Sequence, residues 1–195
     1  MKNLSKKLLN NEYINLVNSL EKFNSKENAN LKIFNKLCEV ALGTIKKGKK
    51  IIFIGNGGSA ANAQHLATEL TVQYKKKRKA INSISLSTDN SAITAIGNDF
   101  GFKFIFSRQV EAIGKRGDLV IALTTSGNSL NIIEACKVSN KMGLTTFCIT
   151  GQSGGLIKKY VKNKILIPSK NTSIIQIFEL FLGQTLCEFL EEKSK

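Results

Sequence analysis

The chain has no tryptophan, one histidine and one proline in 195 residues, and 14 acidic side chains stand against 29 basic ones. No apolar run approaches the ~20 residues that a membrane-spanning helix needs. The N-terminal Met1-Lys-Asn-Leu-Ser-Lys-Lys-Leu-Leu stretch is basic and amphipathic, without the apolar core of a secretory signal. No membrane association is therefore expected, and the cytoplasm is the expected compartment. The cysteines Cys38, Cys136, Cys148 and Cys187 lie far apart in apolar segments, and none belongs to a C-x-x-C pair. Buried, reduced thiols are expected rather than disulfides or a zinc cluster. The glycine-rich stretch near residue 55 is not followed by Gly-Lys-Ser/Thr and lacks G-x-G-x-x-G spacing. That argues against both common nucleotide-binding loops, so no nucleotide cofactor is expected.

The shortage of acids leaves a formal net charge of +15. Such a surface attracts nucleic acid, anionic membranes or acidic substrates. The lysines are scattered, however. The densest run, Lys75-Lys-Lys-Arg-Lys79, directly follows a helical segment, where a solvated loop or helix end is expected, and it carries no interleaved aromatics. Direct nucleic-acid binding is not expected, whereas attraction of a phosphorylated substrate is.

What is present is organised around Ile51-Ile-Phe-Ile-Gly-Asn-Gly-Gly-Ser59, which reads as a strand, a glycine-rich loop and the start of an Ala-rich helix. Residues without Cβ let the backbone approach a ligand, and a helix N-terminus favours an anion. Ahead of it, residues 4–22 and 27–48 carry apolar side chains at helical spacing, with a break at Asn24–Asn28. Such an arm needs something to pack against, and a partner subunit is a good candidate. Beyond Lys50, β-rich runs at 51–54, 81–86, 119–123, 144–149 and 164–167 alternate with helical stretches at 59–74, 91–97, 104–114, 130–142, 155–161 and 173–191. This alternation predicts an α/β fold with a parallel sheet covered on both faces. Ligands gather at the carboxyl ends of such strands. The loops there are Gly55–Ser59, Ser87–Ser91, Thr124–Ser129 and Thr150–Gly155. The third offers four hydroxyls in six residues before a helix, which makes it the better phosphate cradle.

These loops, with His65, Glu69, Gly97-Asn-Asp-Phe-Gly101 and Phe106-Ser-Arg-Gln-Val-Glu-Ala112, resemble the phosphoheptose (sedoheptulose 7-phosphate) isomerases of the sugar isomerase (SIS) fold. The resemblance implies a five-stranded parallel sheet flanked by helices on both faces, a flavodoxin-like three-layer sandwich. Residues 1–48 would be a helical arm packing in the oligomer and residues 49–195 the SIS domain. It implies a homotetramer with active sites at subunit interfaces, and conversion of sedoheptulose 7-phosphate to D-glycero-D-manno-heptose 7-phosphate for surface polysaccharide. Its substrate-binding positions fall on Asn56, Gly57, Gly58, Asn98, Asp99, Thr124, Thr125, Ser126, Ser129 and Gln176, and Ser59 and Asp89 of the same loops join that set. Its zinc ligands fall on His65, Glu69 and Gln176, with Glu69 also the acid/base residue.

Independently of the family, His65 and Glu69 stand at i and i+4, about 40° apart around a helix, so both can face one cavity. A carboxylate base there suits the enediol proton transfer that interconverts ketose and aldose. The family's catalytic histidine on the last helix is Gln184 here, and histidine also usually stands where this chain has Glu179. Glutamine cannot shuttle a proton near neutral pH. Gln184 therefore leaves open an alternative, a non-catalytic SIS protein of the replication-initiator-associating type that binds a phosphosugar or a protein partner.

Overall fold

The computed structural model describes residues 2–25 and 29–193. Its strands are β1 (Ile51–Gly55), β2 (Ser83–Ser85), β3 (Leu119–Thr124), β4 (Thr145–Gly151) and β5 (Asn163–Ile167). They pair in parallel in the order β2-β1-β3-β4-β5. The helices are α1 (Lys2–Asn24), α2 (Ala29–Lys46), α3 (Gly58–Thr71), α4 (Asn90–Asp99), α5 (Ser107–Ile113), α6 (Leu130–Lys141) and α7 (Thr172–Lys193). The register aligns Gly55 with Leu123 and Thr124 with Thr150, so the loops after β1, β3 and β4 emerge at one level.

Alternate residues of the central strands feed two cores, as a sheet covered on both faces requires. Ile51, Phe53, Leu119, Ile121 and Leu123 pack with α2, α3 and α7, while Ile52, Ile54, Val120 and Ala122 pack with α5 and α6. All four cysteines are buried free thiols, and burial pushes those of Cys136 and Cys187 up to about 12. Helix α7 is long and apolar enough to cross a membrane by composition, but it buries Ile174, Ile175, Phe178, Leu182, Leu186 and Leu190 in the core.

Several boundaries differ from the sequence reading. The strand expected over 81–86 shrinks to Ser83–Ser85, and just beyond it the Thr88 hydroxyl turns back to donate to the Ser85 carbonyl at 2.8 Å. Of the stretch 104–114 only α5 is helical, preceded by a 3-10 turn at Phe102–Phe104, and 155–161 holds only a 3-10 turn at Leu156–Lys159. Most of the break at Asn24–Asn28 lies outside the described residues. Of the expected arm, α2 belongs to the chain's own core. It buries Leu37, Cys38 and Ala41, and the Asn30 side chain exchanges two hydrogen bonds of 2.8 Å with the backbone of Leu166 in β5. Only α1 stands largely outside, anchored where Phe23 meets Phe178 with ring centroids 5.5 Å apart.

The basic run is not simply solvated. Arg78 folds inward, its guanidinium donating to the carbonyls of Glu69 at 2.6 Å and Leu70 at 2.7 Å, with Nε 3.3 Å from Glu191 Oε1. The Glu191 carboxylate also accepts from the backbone N–H groups of Tyr74, Lys75 and Lys76. Burial alone would raise its carboxyl, but these donors and Arg78 hold it below the usual range.

Candidate active site

In the order β2-β1-β3-β4-β5 the connections reverse direction between β1 and β3, and a ligand crevice is expected where the loops after those two strands part. Both loops lie there, joined by a reciprocal amide pair. Asn56 Nδ2 donates to Asn131 Oδ1 at 2.9 Å and Asn131 Nδ2 donates to Asn56 Oδ1 at 2.8 Å. Asn131 is buried at the start of α6 and fixes the distance between the loops. The sequence showed it only as a residue following the hydroxyl-rich loop.

Between the loops lies a small polar cavity of about 60 Å³ lined by Asn56, Ser59, Leu123, Thr124, Thr125, Ser129 and Gln176. Gln176 reaches it from α7 because Gly58 has no side chain; a Cβ there would collide with the Gln176 amide. Next to it, sharing Thr125, a cleft of about 230 Å³ presents Ser126, Ser153, Ser169, Lys170 and Thr172. Lys170 is its only cationic lining residue, an addition to the expected phosphate cradle. The loop after β4 latches onto this cleft's wall, Gly151 N donating to Thr125 O at 3.1 Å and Ile157 N to Gly127 O at 2.9 Å. Gly127 and Gly155 pass so closely, both at positive φ, that a Cβ on either would strike the other loop's backbone. Larger clefts elsewhere are less suited to a sugar. One of about 530 Å³ between α1, α2 and α7 is mainly apolar, and one of about 380 Å³ near Lys46, Lys49, Lys79 and Lys193 lies away from these loops.

Helices α3 and α7 run side by side in the same direction, Gly58 meeting Gln176 and Leu66 meeting Gly183. Further along this pair, His65 Nε2 lies 2.9 Å from Glu69 Oε1 and 3.3 Å from the Gln184 amide. The His65 side chain is 45% exposed and that of Glu69 21%. At 1.5 Å per residue, His65 is about 10 Å along α3 from Gly58, so the structure forms two neighbouring groups, a loop cavity and a His65–Glu69–Gln184 cluster. The amide beside His65 is that of Gln184; Gln176 turns to the loop cavity. Gly57 precedes α3 at φ 54°, shaping the turn into it. Asp89 caps α4, accepting from Ala92 N at 2.9 Å. Asn98 and Asp99 sit exposed at the end of α4, bonded to each other at 2.8 Å, and do not line the loop cavity.

A family profile described as the SIS domain matches residues 12–151. The phosphoheptose isomerase of Campylobacter concisus is 42% identical over 93% of this chain and 88% of its own length. That of Campylobacter jejuni serotype O:6 is 46% identical over 80% and 82%. The chain belongs to the phosphoheptose isomerase family of SIS proteins. Among solved structures, the phosphoheptose isomerase of Neisseria gonorrhoeae superposes with a TM-score of 0.88 at 32% identity, over 96% of this chain and 98% of that one. The Francisella tularensis enzyme does so with 0.90 at 27%, over the same shares.

The zinc that family resemblance implies meets an incomplete donor set. His65 and Glu69 supply one imidazole and one carboxylate, and no group of three His, Cys, Asp or Glu side chains suited to a metal forms among the described residues. The other donors at hand are the neutral amides of Gln184 and Gln176, weaker partners than the three His or carboxylate ligands typical of catalytic zinc. The residues do not fit a resident zinc, and the chemistry below is built on the chain's own groups. Buried Glu179, at the level of Ser59, was not singled out for the site by the sequence; burial pushes its carboxyl up to about 7, against the pull of hydrogen bonds from Ser59 and Asn62.

Proposed function

We propose that this chain is an isomerase that converts sedoheptulose 7-phosphate to D-glycero-D-manno-heptose 7-phosphate. The observation that carries the reading is the placement of the Glu69 carboxylate against His65, on the α3–α7 pair that also carries Ser59 and Gln176 to the loop cavity, in a chain more than 40% identical to phosphoheptose isomerases over most of its length. The relatives named above bear an enzyme's name, which favours isomerisation over the non-catalytic alternative.

In the reaction, Glu69 takes a proton from C1 of the ketose. The C–H electron pair becomes the C1=C2 bond of an enediol as the C2 oxygen gains a proton. Return of a proton to C2, with loss of the proton on the C1 oxygen, gives the aldose. His65 holds one carboxylate oxygen of Glu69, and Gln184 contacts the ring of His65. Gln184 cannot move a proton itself, so the transfer between the two sugar oxygens falls to Glu69 and solvent. The Thr124–Ser129 hydroxyls and Lys170 suit the phosphate, and Asn56, Ser59 and Gln176 suit the sugar. The reading includes a homo-oligomer, a cytoplasmic setting and heptose supply to a surface polysaccharide. Four reduced, buried thiols support the setting.

The test is to incubate purified protein with sedoheptulose 7-phosphate and follow the aldose. Glu69→Gln, which cannot accept the proton, is expected to lower kcat by at least about 100-fold while the protein remains folded. Wild-type protein that forms no aldose would refute the reading.

A further inference from the structure

Three acids are buried among the described residues, and they are satisfied differently. Asp118 pairs with Lys50 at 2.6 Å and Glu191 with Arg78 at 3.3 Å. Glu179, with no exposed surface, forms no ion pair; its oxygens accept from Ser59 Oγ at 3.0 Å and from Asn62 Nδ2 at 3.2 Å. A carboxyl in such a place is costly compared with an apolar side chain of similar size, and packing alone does not call for one. Both of its donors lie in the first turns of α3, immediately after the glycine-rich loop. Asn62 Nδ2 also donates to the backbone carbonyl of Gln176 at 3.0 Å, so the same contacts join the two residues, Ser59 and Gln176, that line the cavity from opposite helices.

We propose that Glu179 is a positioning residue for the sugar, fixing Ser59 as a hydrogen-bond acceptor in the loop cavity and locking α7 to the start of α3. A serine hydroxyl has one proton to donate, and in this structure it goes to Glu179. The Ser59 oxygen then offers only its lone pairs to the cavity and recognises a sugar hydroxyl that donates. Both N–H bonds of Asn62 are likewise committed, one to Glu179 and one to Gln176. Glu179 touches no substrate and acts through Ser59 and Asn62. Its replacement removes orientation and leaves the proton-transfer groups at Glu69 in place.

This inference rests on the reading of the loop cavity as the sugar site, and a double-mutant cycle separates the two. Wild type, Ser59→Ala, Glu179→Gln and the double variant are compared for kcat and KM with sedoheptulose 7-phosphate, and for its dissociation constant by calorimetry. Glu179→Gln keeps the size and one acceptor oxygen, so folding is preserved; circular dichroism and melting confirm it. The expected result is a KM raised about 3- to 10-fold in Glu179→Gln with kcat changed by less than about 3-fold. The combined effect in the double variant should fall clearly short of the product of the two single effects, since Glu179 works in part through Ser59. Wild-type KM in Glu179→Gln, or effects that multiply independently in the double variant, overturn the proposal while the isomerase reading stands. If wild type binds the sugar with the expected coupling but does not turn it over, the isomerase reading fails and the positioning role holds. No binding by wild type overturns both.

Discussion

Glu179 and Gln184 show how single side chains on α7 tune this site. With its carboxyl raised from 4.5 to about 7, Glu179 binds its proton more tightly in the folded than in the unfolded chain. Its contribution to stability is therefore complete below the unfolded value and is lost as pH rises from about 4.5 through 7. The loss is on the order of 3 kcal/mol, or roughly 6–10 °C in melting temperature for a chain of this size. Melting of wild type and Glu179→Gln between pH 5 and 8 is expected to show a downward slope in wild type that the variant largely lacks; parallel curves would contradict it. Gln184 touches His65, where an imidazole would complete a second strong metal donor. Gln184→His is expected to tighten zinc binding at least about 10-fold in a competition titration with a chromophoric chelator. Neither role could be read locally. His65 and Glu69 share a helix face, but Glu179 meets Ser59 across 120 residues and Gln184 meets His65 across 119.

At the scale of elements, the sequence supplied what is periodic and local. Five β-rich runs became five parallel strands, and the glycine-rich turn entered a helix within one residue of Ser59. What it withheld were contacts between distant elements. In the basic run the lysines are exposed as expected, but Arg78 folds inward to Glu191, a partner more than 100 residues away. The acids of α7 now divide by environment. Glu191 is 4% exposed and holds Arg78 and three backbone N–H groups, so Glu191→Ala is expected to cost about 3–5 kcal/mol by leaving a buried cation and donors unmet. Glu188, one turn earlier, pairs with Lys75 at the surface, and Glu188→Ala should cost under about 0.5 kcal/mol. Urea unfolding of the two variants side by side checks the contrast; similar losses would undo it. The Asn56–Asn131 bridge is equally invisible locally, because an asparagine near a helix start usually signals only a cap.

Across the whole molecule, half of the large exposed apolar side chains among the described residues lie on α1 and α7. Leu4, Leu8, Leu9 and Tyr13 are 61%, 56%, 74% and 64% exposed, and Ile177 and Phe181 are 47% and 51% exposed. A second copy of the chain is the occupant the oligomer reading assigns to this surface. Sedimentation of the native protein is expected to give a mass above 21.4 kDa, reduced towards the monomer in Leu8→Glu/Tyr13→Glu; a monomer throughout would count against it. Gln176, Glu179, Gln184 and Glu191 all belong to α7, while the groups they complete belong to α3 and the loop behind it. On the ribosome, β1 and α3 emerge about a hundred residues before those partners, and every strand is out before α7 begins. The nascent chain thus passes through a stage that has all five strands but neither Glu179 under Ser59 nor Gln184 beside His65. The groups that α7 contributes to this region therefore join it only after all five strands have been made.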